Sequence, residues 1–214
     1  MIELATGPRR KLLDATLQVV RAQGYAGASV DDICREAGVT KGSFFHHFKS
    51  KDELAVAATE HWTGVTGNLF ASAPFQAIAD PRERVLAYID FRASLIQGEL
   101  PDFTCLLGTM VQEAFDTHPS LCEACNVAIL THVRTVELDL AEAKRQYAPK
   151  ASWEPISVAL FTQAAMQGAF ILAKAQHSSD VARQCIAHAR SYVASLLPID
   201  GRATKSGPTK TRRS

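Results

Sequence analysis

Residues 41–48, with the sequence KGSFFHHF, bring hydrogen-bonding and positively charged side chains together on one short segment. Such groups contact base edges and phosphate oxygens in DNA, and a glycine beside them lets the backbone approach closely. The side chains or backbone positions concerned are those of Lys41, Gly42, Ser43, His46 and His47. The three phenylalanines of the segment, Phe44, Phe45 and Phe48, are predicted to anchor it to neighbouring helices. The segment therefore predicts DNA reading, which requires a helix presented to the major groove.

The flanking residues 29–54 predict the elements that would present this helix. Ser29 is a predicted cap of one short helix, with Asp32 three residues later as in a capping box. Gly38 permits the left-handed backbone of a tight turn, and Thr40 is a predicted cap of the next helix. The pattern predicts a helix-turn-helix.

A third helix is predicted to follow at once. Ser50 is its predicted cap, with Glu53 at the third position. Lys51 lies in the first turn, where exposed backbone amides attract phosphate. We expect this helix start to bind the DNA backbone, and Lys51→Ala to weaken binding to all sequences alike.

At these residues the chain resembles the TetR family of bacterial transcriptional regulators. The residues that fall on the family pattern in register are Ser29, Ile33, Ala37, Gly38, Val39, Thr40, Gly42, Phe48, Ser50, Lys51 and Leu54. Two positions depart from it, because Phe45 and His47 stand where the family usually has tyrosines, so a hydroxyl contact to phosphate is lost at each. The resemblance implies DNA contacts from Ser29, Thr40, Lys41, Gly42, Ser43, His46, His47 and Lys51.

The composition indicates a soluble protein in the cytoplasm. The 214 residues are 47% apolar and 21% charged, with a net charge of +1, which suits specific DNA recognition more than nonspecific coating. We recognise no signal peptide, and no apolar run approaches the roughly 18 residues of a membrane span. We therefore expect no membrane partner.

The periodicity and the proline breaks predict an all-α fold of about nine helices. We expect a three-helix DNA-binding domain at residues 1–53, a helical ligand-binding and dimerisation domain at 54–198, and a disordered basic tail at 199–214. The first helix is predicted at residues 8–24, and its basic cluster at 9–11 is a secondary candidate for DNA contact. Helix four is expected to run to about Ala71, with Val65 and Leu69 on its apolar face. A helix is expected from Asp80 to about Gly98, and a short irregular helix from Pro101 toward His118.

Residues 155–175 are apolar on more than one face. A helix of this kind packs on its own core and on a second surface, most simply a twofold copy of itself. In the resembling family the last two helices form a four-helix dimer interface, so we expect a homodimer. A deeply buried helix in a monomer is the alternative.

Aromatic, aliphatic and sulfur-containing side chains in the second region are candidates for an apolar ligand pocket. They are Trp62, Phe70, Phe91, Leu95, Cys105, Met110, Phe161, Met166 and Phe170. Residues at this spacing also form ordinary core. His118, His132 and His177 are candidates to orient a polar ligand.

Five cysteines in a reducing compartment do not predict disulfides. Cys122 and Cys125 form a C-x-x-C pair, but no second pair has zinc-ligand spacing, so we expect neither a metal nor a cofactor. The segment around Cys105 resembles a TetR subgroup that includes electrophile and oxidant sensors with a cysteine at this place. Cys105 is therefore a candidate sensor thiol, and a plain buried cysteine is the alternative.

Three functions remain open from the sequence. The first is a repressor that a small apolar or electrophilic ligand releases from a palindromic double-stranded DNA operator. The second is an activator, or a regulator without a ligand. The third is a redox enzyme that uses the C-x-x-C pair, and we do not expect it because no flanking strand pattern or acid–base pair accompanies the cysteines.

Overall fold

The computed structural model describes residues 7–199, and in that range the chain forms ten α-helices and one 3-10 turn, without strands. The helices are α1 Pro8–Gln23, α2 Val30–Ala37, α3 Lys41–His47, α4 Lys51–Ala71, α5 Pro81–Ser94, α6 Leu100–Phe103, α7 Leu106–Ala114, α8 Pro119–Tyr147, α9 Pro155–Gln176 and α10 Asp180–Leu196, with the 3-10 turn at Pro74–Ala77. The predicted all-α fold is confirmed. The predicted tail lies outside the described residues from position 200 onward.

The capping predicted for the first helices is confirmed. The Ser29 hydroxyl accepts from the Asp32 amide at 3.1 Å while the Asp32 carboxylate accepts from the Ser29 amide at 3.1 Å, which completes a capping box at α2. Gly38 ends α2 with φ 63°, and the Thr40 hydroxyl caps α3 by accepting from the Ser43 amide at 3.1 Å. These bonds fix the angle between α2 and α3.

Helix α4 joins α1–α3 to α5–α10, which form the predicted ligand-binding half of the protein. The Ser50 hydroxyl caps it by accepting from the Glu53 amide at 3.1 Å. The helix is continuous to Ala71, so the predicted domain boundary at residues 53/54 falls inside it. Leu54 is fully buried, but Val65 and Leu69 are 42% and 41% exposed, so the predicted apolar face is fully buried only over the first turns of the helix. Helix α4 also packs on α8, where the rings of Phe70 and His132 lie 4.7 Å apart.

Two apolar cores form along the chain. The first unites α1–α4 with α7 and the start of α8, and its fully buried members include Phe44, Leu106, Met110 and Leu121. The second lies among α5, α8, α9 and α10. Helices α2 and α3 pack on α1, and α1 and α4 connect them to the second region, because both pack on α7 and α4 also packs on α8.

Some predicted helix bounds are wrong. Helix α5 ends at Ser94 instead of near Gly98, which has φ 75° and lies in the following loop. The single irregular helix expected between Pro101 and His118 forms two helices, α6 and α7, separated at Thr104 and Cys105.

Helix α9 is long and apolar enough, by length and composition alone, to cross a membrane, with a mean hydropathy of 1.6 over its most apolar window. A core helix passes the same test, and α9 packs between α8 and α10. Its remaining face carries Leu160, Phe161, Ile171 and Leu172, each 41–47% exposed. That face is the second apolar surface expected from the sequence.

Candidate DNA-reading helix and ligand cavity

Helix α3 has one anchored face and one open face. Phe44 is fully buried and Phe48 is 3% exposed, so these rings hold the helix against the first core. The prediction that Phe45 is a third anchor is wrong, because its ring is 56% exposed. On the open face, Lys41, Gly42 and His46 are exposed with Phe45, and Ser43 and His47 are half-buried.

Lys41 is the cation of the open face, and it is paired within the protein. Its ammonium lies 3.0 Å from the carboxylate of Asp31 in α2, and both side chains are more than half exposed. An exposed pair of this kind contributes little to stability, so the ammonium can exchange its partner for phosphate or a base. If Lys41 contacts DNA as predicted, Asp31 competes with the DNA for it.

The Lys51 ammonium points into the protein. It donates to the backbone carbonyls of Tyr25 at 2.9 Å and Ala28 at 3.1 Å, and lies 4.4 Å from the centroid of the Tyr25 ring. These contacts tie the start of α4 to the turn between α1 and α2. The expected phosphate contact of this side chain stays a prediction, and it would require the ammonium to leave these carbonyls.

The basic cluster at the start of α1 is partly engaged. The Arg9 guanidinium lies 5.3 Å from the centroid of the Phe48 ring, and Arg10 forms an ion pair with Asp14 at 3.0 Å. Lys11 is exposed. Arg9 thus lies next to α3, where a second contact to the DNA backbone was predicted.

A cavity of about 360 Å³ lies among α4, α5, α6, α7, α8 and α9. This volume suits a small organic ligand. Of the nine candidates from the sequence, five line it, namely Trp62, Phe70, Leu95, Cys105 and Phe170. The cavity is lined mainly by apolar side chains, with a smaller set of polar groups.

The other four candidates do not line this cavity. Phe91 packs edge-on against Phe70, with ring centroids 5.7 Å apart. Met110 and Met166 are fully buried in the first and second cores. Phe161 is 41% exposed and stacks on Tyr192 of α10 at 4.8 Å, so it belongs to the outer face of α9. Helical spacing placed these residues among apolar neighbours without saying which of them border an empty volume.

Arg92 and His132 form the polar end of the cavity. An Arg92 nitrogen lies 3.3 Å from His132 Nε2, and the Tyr88 hydroxyl lies 2.9 Å from the same atom. Burial, together with the nearby Arg92 charge, lowers the pKa of His132 to about 4. His132 is therefore neutral near pH 7, and Arg92 carries the positive charge.

Cys105 lies at the boundary between this cavity and a second one of about 220 Å³. The second cavity contains Lys174, whose ammonium donates to the Thr109 hydroxyl at 3.0 Å, and the carboxylate of Glu113. Burial lowers the pKa of Lys174, while Glu113 and Cys105 oppose that change. Cys105 is half-buried and thus reachable from either cavity.

Arg21 connects the cavity wall to the helix-turn-helix. It is 7% exposed, donates to the backbone carbonyl of Asp102 in α6 at 3.1 Å, and lies 5.1 Å from the ring centroid of Trp62. Burial lowers the pKa of Arg21, and the Asp102 charge opposes this. Because Trp62 and Asp102 both line the cavity, a bound ligand would contact the groups that hold α1.

A second connection joins α7 to the turn after α1. The Glu113 carboxylate accepts from the Ala26 amide at 2.7 Å. Gly24 has φ 80°, and a Cβ at that position would collide with the same carboxylate. Nearby, His118 lies 3.7 Å from Asp52, which also accepts from the Tyr25 hydroxyl. The turn between α1 and α2 thus rests on the ligand-binding half.

The C-x-x-C pair lies one turn apart in α8. Cys125 is fully buried, and burial, with smaller contributions from Cys105 and Cys122, raises the pKa of its thiol to about 12. Thiol exchange needs a thiolate, so this environment disfavours it. Among residues 7–199 no group of three or more His, Cys, Asp or Glu side chains is placed to hold a metal ion.

Several residues of these sites were missed from the sequence. Arg92, Thr104 and Gln163 line the cavity, and Phe45 lies on the open face of α3. The available signal for Phe45 was its position where the resembling family usually has a tyrosine. Arg92 had no comparable signal, because a lone arginine in a helix is usually a surface residue.

The helix-turn-helix, mounted on a helical domain with a ligand-sized cavity, defines a DNA-binding transcriptional regulator. Residues 12–58 match the bacterial regulatory proteins of the tetR family, and residues 81–189 match the tetracyclin repressor-like C-terminal domain. The chain belongs to the TetR family.

Relatives and solved structures agree with this assignment. The repressor NemR of Escherichia coli K12 is 23% identical over 186 residues, covering 87% of this chain and 94% of NemR. The regulator BetI of Rhizobium meliloti is 38% identical over 93 residues, covering 42% of this chain and 45% of BetI. The match to YerO of Bacillus subtilis covers 27% of that protein.

Solved structures show the same fold. The reduced form of E. coli NemR superposes with a TM-score of 0.74 at 23% identity, covering 86% of this chain and 95% of NemR. A TetR regulator from Chloroflexus aurantiacus superposes with a TM-score of 0.77 at 23% identity, covering 89% and 96%.

Proposed function

We propose that the protein is a homodimeric, cytoplasmic repressor that leaves a palindromic operator when a small molecule binds in the 360 Å³ cavity. The observation that carries the proposal is that α4 belongs to both sites. Its first turns pack in the core of the helix-turn-helix, and Trp62 and Phe70 further along line the cavity. A ligand that moves α4 also moves the DNA-reading helices.

The coupling runs through Arg21 and Glu113. Arg21 holds α1 against α4 and α6, and Glu113 holds the turn after α1 against α7. A ligand that displaces Trp62 or α6 changes the platform on which the helix-turn-helix rests. In a dimer the two helix-turn-helix units contact half-sites at a fixed spacing. A small change in the tilt of these units therefore lowers operator affinity.

The apolar outer face of α9 and α10 supports the dimer. Leu160, Phe161, Ile171, Leu172 and Tyr192 are each 41–47% exposed there, although they are large apolar or aromatic side chains. A contiguous exposed apolar surface of this kind usually marks an interaction site. Family members act as dimers, and a twofold copy would bury this face.

Selection of bound duplexes from a random DNA pool tests the proposal. We expect an inverted repeat to be enriched among the bound duplexes. The variants Ser43→Ala and Lys41→Ala should each change which bases are preferred in that repeat. The exposed Arg134→Gln variant is a control that should retain the wild-type motif. Absence of enrichment, after the protein has been denatured and refolded to remove any copurified ligand, would refute DNA reading. A reporter placed downstream of the motif then gives the sign of regulation.

A thiol-based sensor is the second candidate, favoured by the position of Cys105 between the two cavities near Lys174. The Cys105 sulfur would bond to the β-carbon of a quinone or enone that enters there. The C=C π bond breaks, its electron pair shifts towards the carbonyl oxygen, and the thiol proton ends on the adduct. We expect Cys105→Ser to abolish operator release by such electrophiles. The matched control is Cys185→Ser, a half-buried cysteine in α10 away from both cavities. Unchanged release from the Cys105→Ser protein would contradict this candidate.

A further inference from the structure

Arg92 is a cavity arginine without an acidic partner. Among residues 7–199 no carboxylate lies within ion-pairing distance of it, whereas Arg84 of the same helix binds both Asp139 and Glu142. Its polar contact is His132 Nε2 at 3.3 Å, and its guanidinium lies 5.3 Å from the Phe70 ring centroid. Arg92 is half-buried at the cavity wall, so its guanidinium has lost part of its water and can gain from a charged partner.

His132 does not neutralise this charge. The lone pair of its Nε2 faces both the Tyr88 hydroxyl and Arg92, so these two groups can donate to a neutral imidazole. The remaining guanidinium N–H groups of Arg92 are available to a ligand. Arginine presents those donors as a planar fork that matches a carboxylate.

Two further polar side chains of the cavity have a buried atom without a partner. The Thr104 hydroxyl belongs to a residue that is 1% exposed, and the Gln163 amide oxygen is likewise buried. Buried polar atoms are nearly always hydrogen-bonded, so these orphans indicate that a polar ligand group completes the site. The wall near them carries the rings of Phe103 and Phe170, and its acidic residue, Asp102, lies beside Arg21 and forms no ion pair with Arg92.

We infer that the ligand is a small aromatic carboxylate, with its carboxylate on Arg92, its ring system among Trp62, Phe70 and Phe170, and a hydroxyl or similar group reaching Thr104 or Gln163. This inference rests on the proposed function for its regulatory meaning, but binding itself is independent of DNA. The aromatic wall supplies the apolar burial, and the Arg92 fork distinguishes an acid from its neutral analogues.

Calorimetric titration of the full chain with 2-naphthoate and methyl 2-naphthoate, with and without a 6-hydroxyl group, tests the inference. We expect the wild type to bind the acid about tenfold or more tightly than the ester, as for a charge-assisted bidentate contact. Arg92→Gln should weaken acid binding by about the same factor and change ester binding by less than about twofold. The control Arg134→Gln removes an exposed arginine of α8 and should bind like the wild type.

Each outcome distinguishes the ligand class from the regulatory function. Equal affinity for acid and ester, or full acid binding by Arg92→Gln, overturns the carboxylate while leaving a ligand cavity in place. Binding of neither compound overturns the aromatic acid altogether. Operator enrichment from random DNA does not depend on these titrations, so a failure of DNA reading would appear there alone. If the acid binds as expected, its addition should release the enriched operator from the wild type but not from Arg92→Gln at the same concentration.

Discussion

Acidification is expected to destabilise the ligand-binding half of the protein through His132. Burial lowers the pKa of this imidazole from 6.5 to about 4, with the Arg92 charge contributing in the same direction. In the unfolded chain His132 takes up a proton as the pH falls below 6.5, whereas in the folded protein it stays neutral until about pH 4. The stabilising contribution is therefore complete above pH 6.5 and is lost between that pH and about pH 4.

The size of the effect follows from the difference between the two pKa values. One pKa unit corresponds to about 1.4 kcal/mol, so the free energy of unfolding should lose about 3 kcal/mol over this interval because of His132 alone. Asp32 and Asp80 also have lowered pKa values, each chiefly because of a side-chain hydrogen bond, and their contributions are lost at lower pH. Their effect is common to the wild type and to a His132 variant, so it cancels in the difference.

Urea unfolding followed by circular dichroism, at several pH values from 7 to 4 and at one protein concentration, measures this difference. We expect His132→Gln, which keeps a polar group near the Tyr88 hydroxyl, to lose about 3 kcal/mol less than the wild type on acidification. The control His188→Gln changes an exposed histidine of α10 and should follow the wild type. A difference between wild type and His132→Gln that stays constant across this pH range would refute the linkage.

Three further changes have defined outcomes. Asp31→Asn frees Lys41 and removes a negative charge beside α3. Operator affinity, measured by fluorescence anisotropy, should therefore rise about threefold or more, most at low salt. An unchanged affinity would contradict the competition between Asp31 and DNA. Phe45→Tyr adds a hydroxyl on the open face of α3 and should raise operator affinity up to about tenfold without changing the melting temperature. A loss of affinity would instead indicate that the ring contacts apolar groups of the DNA. Glu113→Ala removes the bond to the Ala26 amide, so stability should fall by about 1 kcal/mol and ligand-induced operator release should weaken; a variant with wild-type release would contradict a coupling role for this bond.

The helix-turn-helix was predictable from the sequence because its signals are local. Ser29, Gly38 and Thr40 act on the backbone within three or four residues of themselves, and each has the predicted role in the structure. The prediction for Phe45 was wrong because the helical periodicity of only seven residues does not show which of two adjacent phenylalanines, Phe44 or Phe45, is buried. Tertiary packing decides which of two adjacent rings is buried.

The cavity was predictable in composition but not in membership. Trp62 and Phe70 of α4 and Phe170 of α9 were recognised as large apolar side chains, yet Met166 has the same character and is fully buried in the second core. An empty volume depends on how six helices pack, and no single helix encodes it. The pairing of Arg92 with His132 likewise joins residues 40 positions apart in the chain.

The shared first core has a consequence for recombining these proteins. Leu106, Met110 and Leu121 from the ligand-binding half are fully buried in the same core as side chains of α1–α4. The DNA-binding helices therefore have no hydrophobic core that is separate from the rest of the protein. In a chimaera that exchanges only residues 1–53, the core side chains of α1–α3 would pack against α7 and α8 residues from a different protein. Such an exchange should cost stability in proportion to the mismatch, unless the inner face of α7 and the first turns of α8 are transplanted with it. The transferable unit of this regulator is therefore discontinuous in sequence.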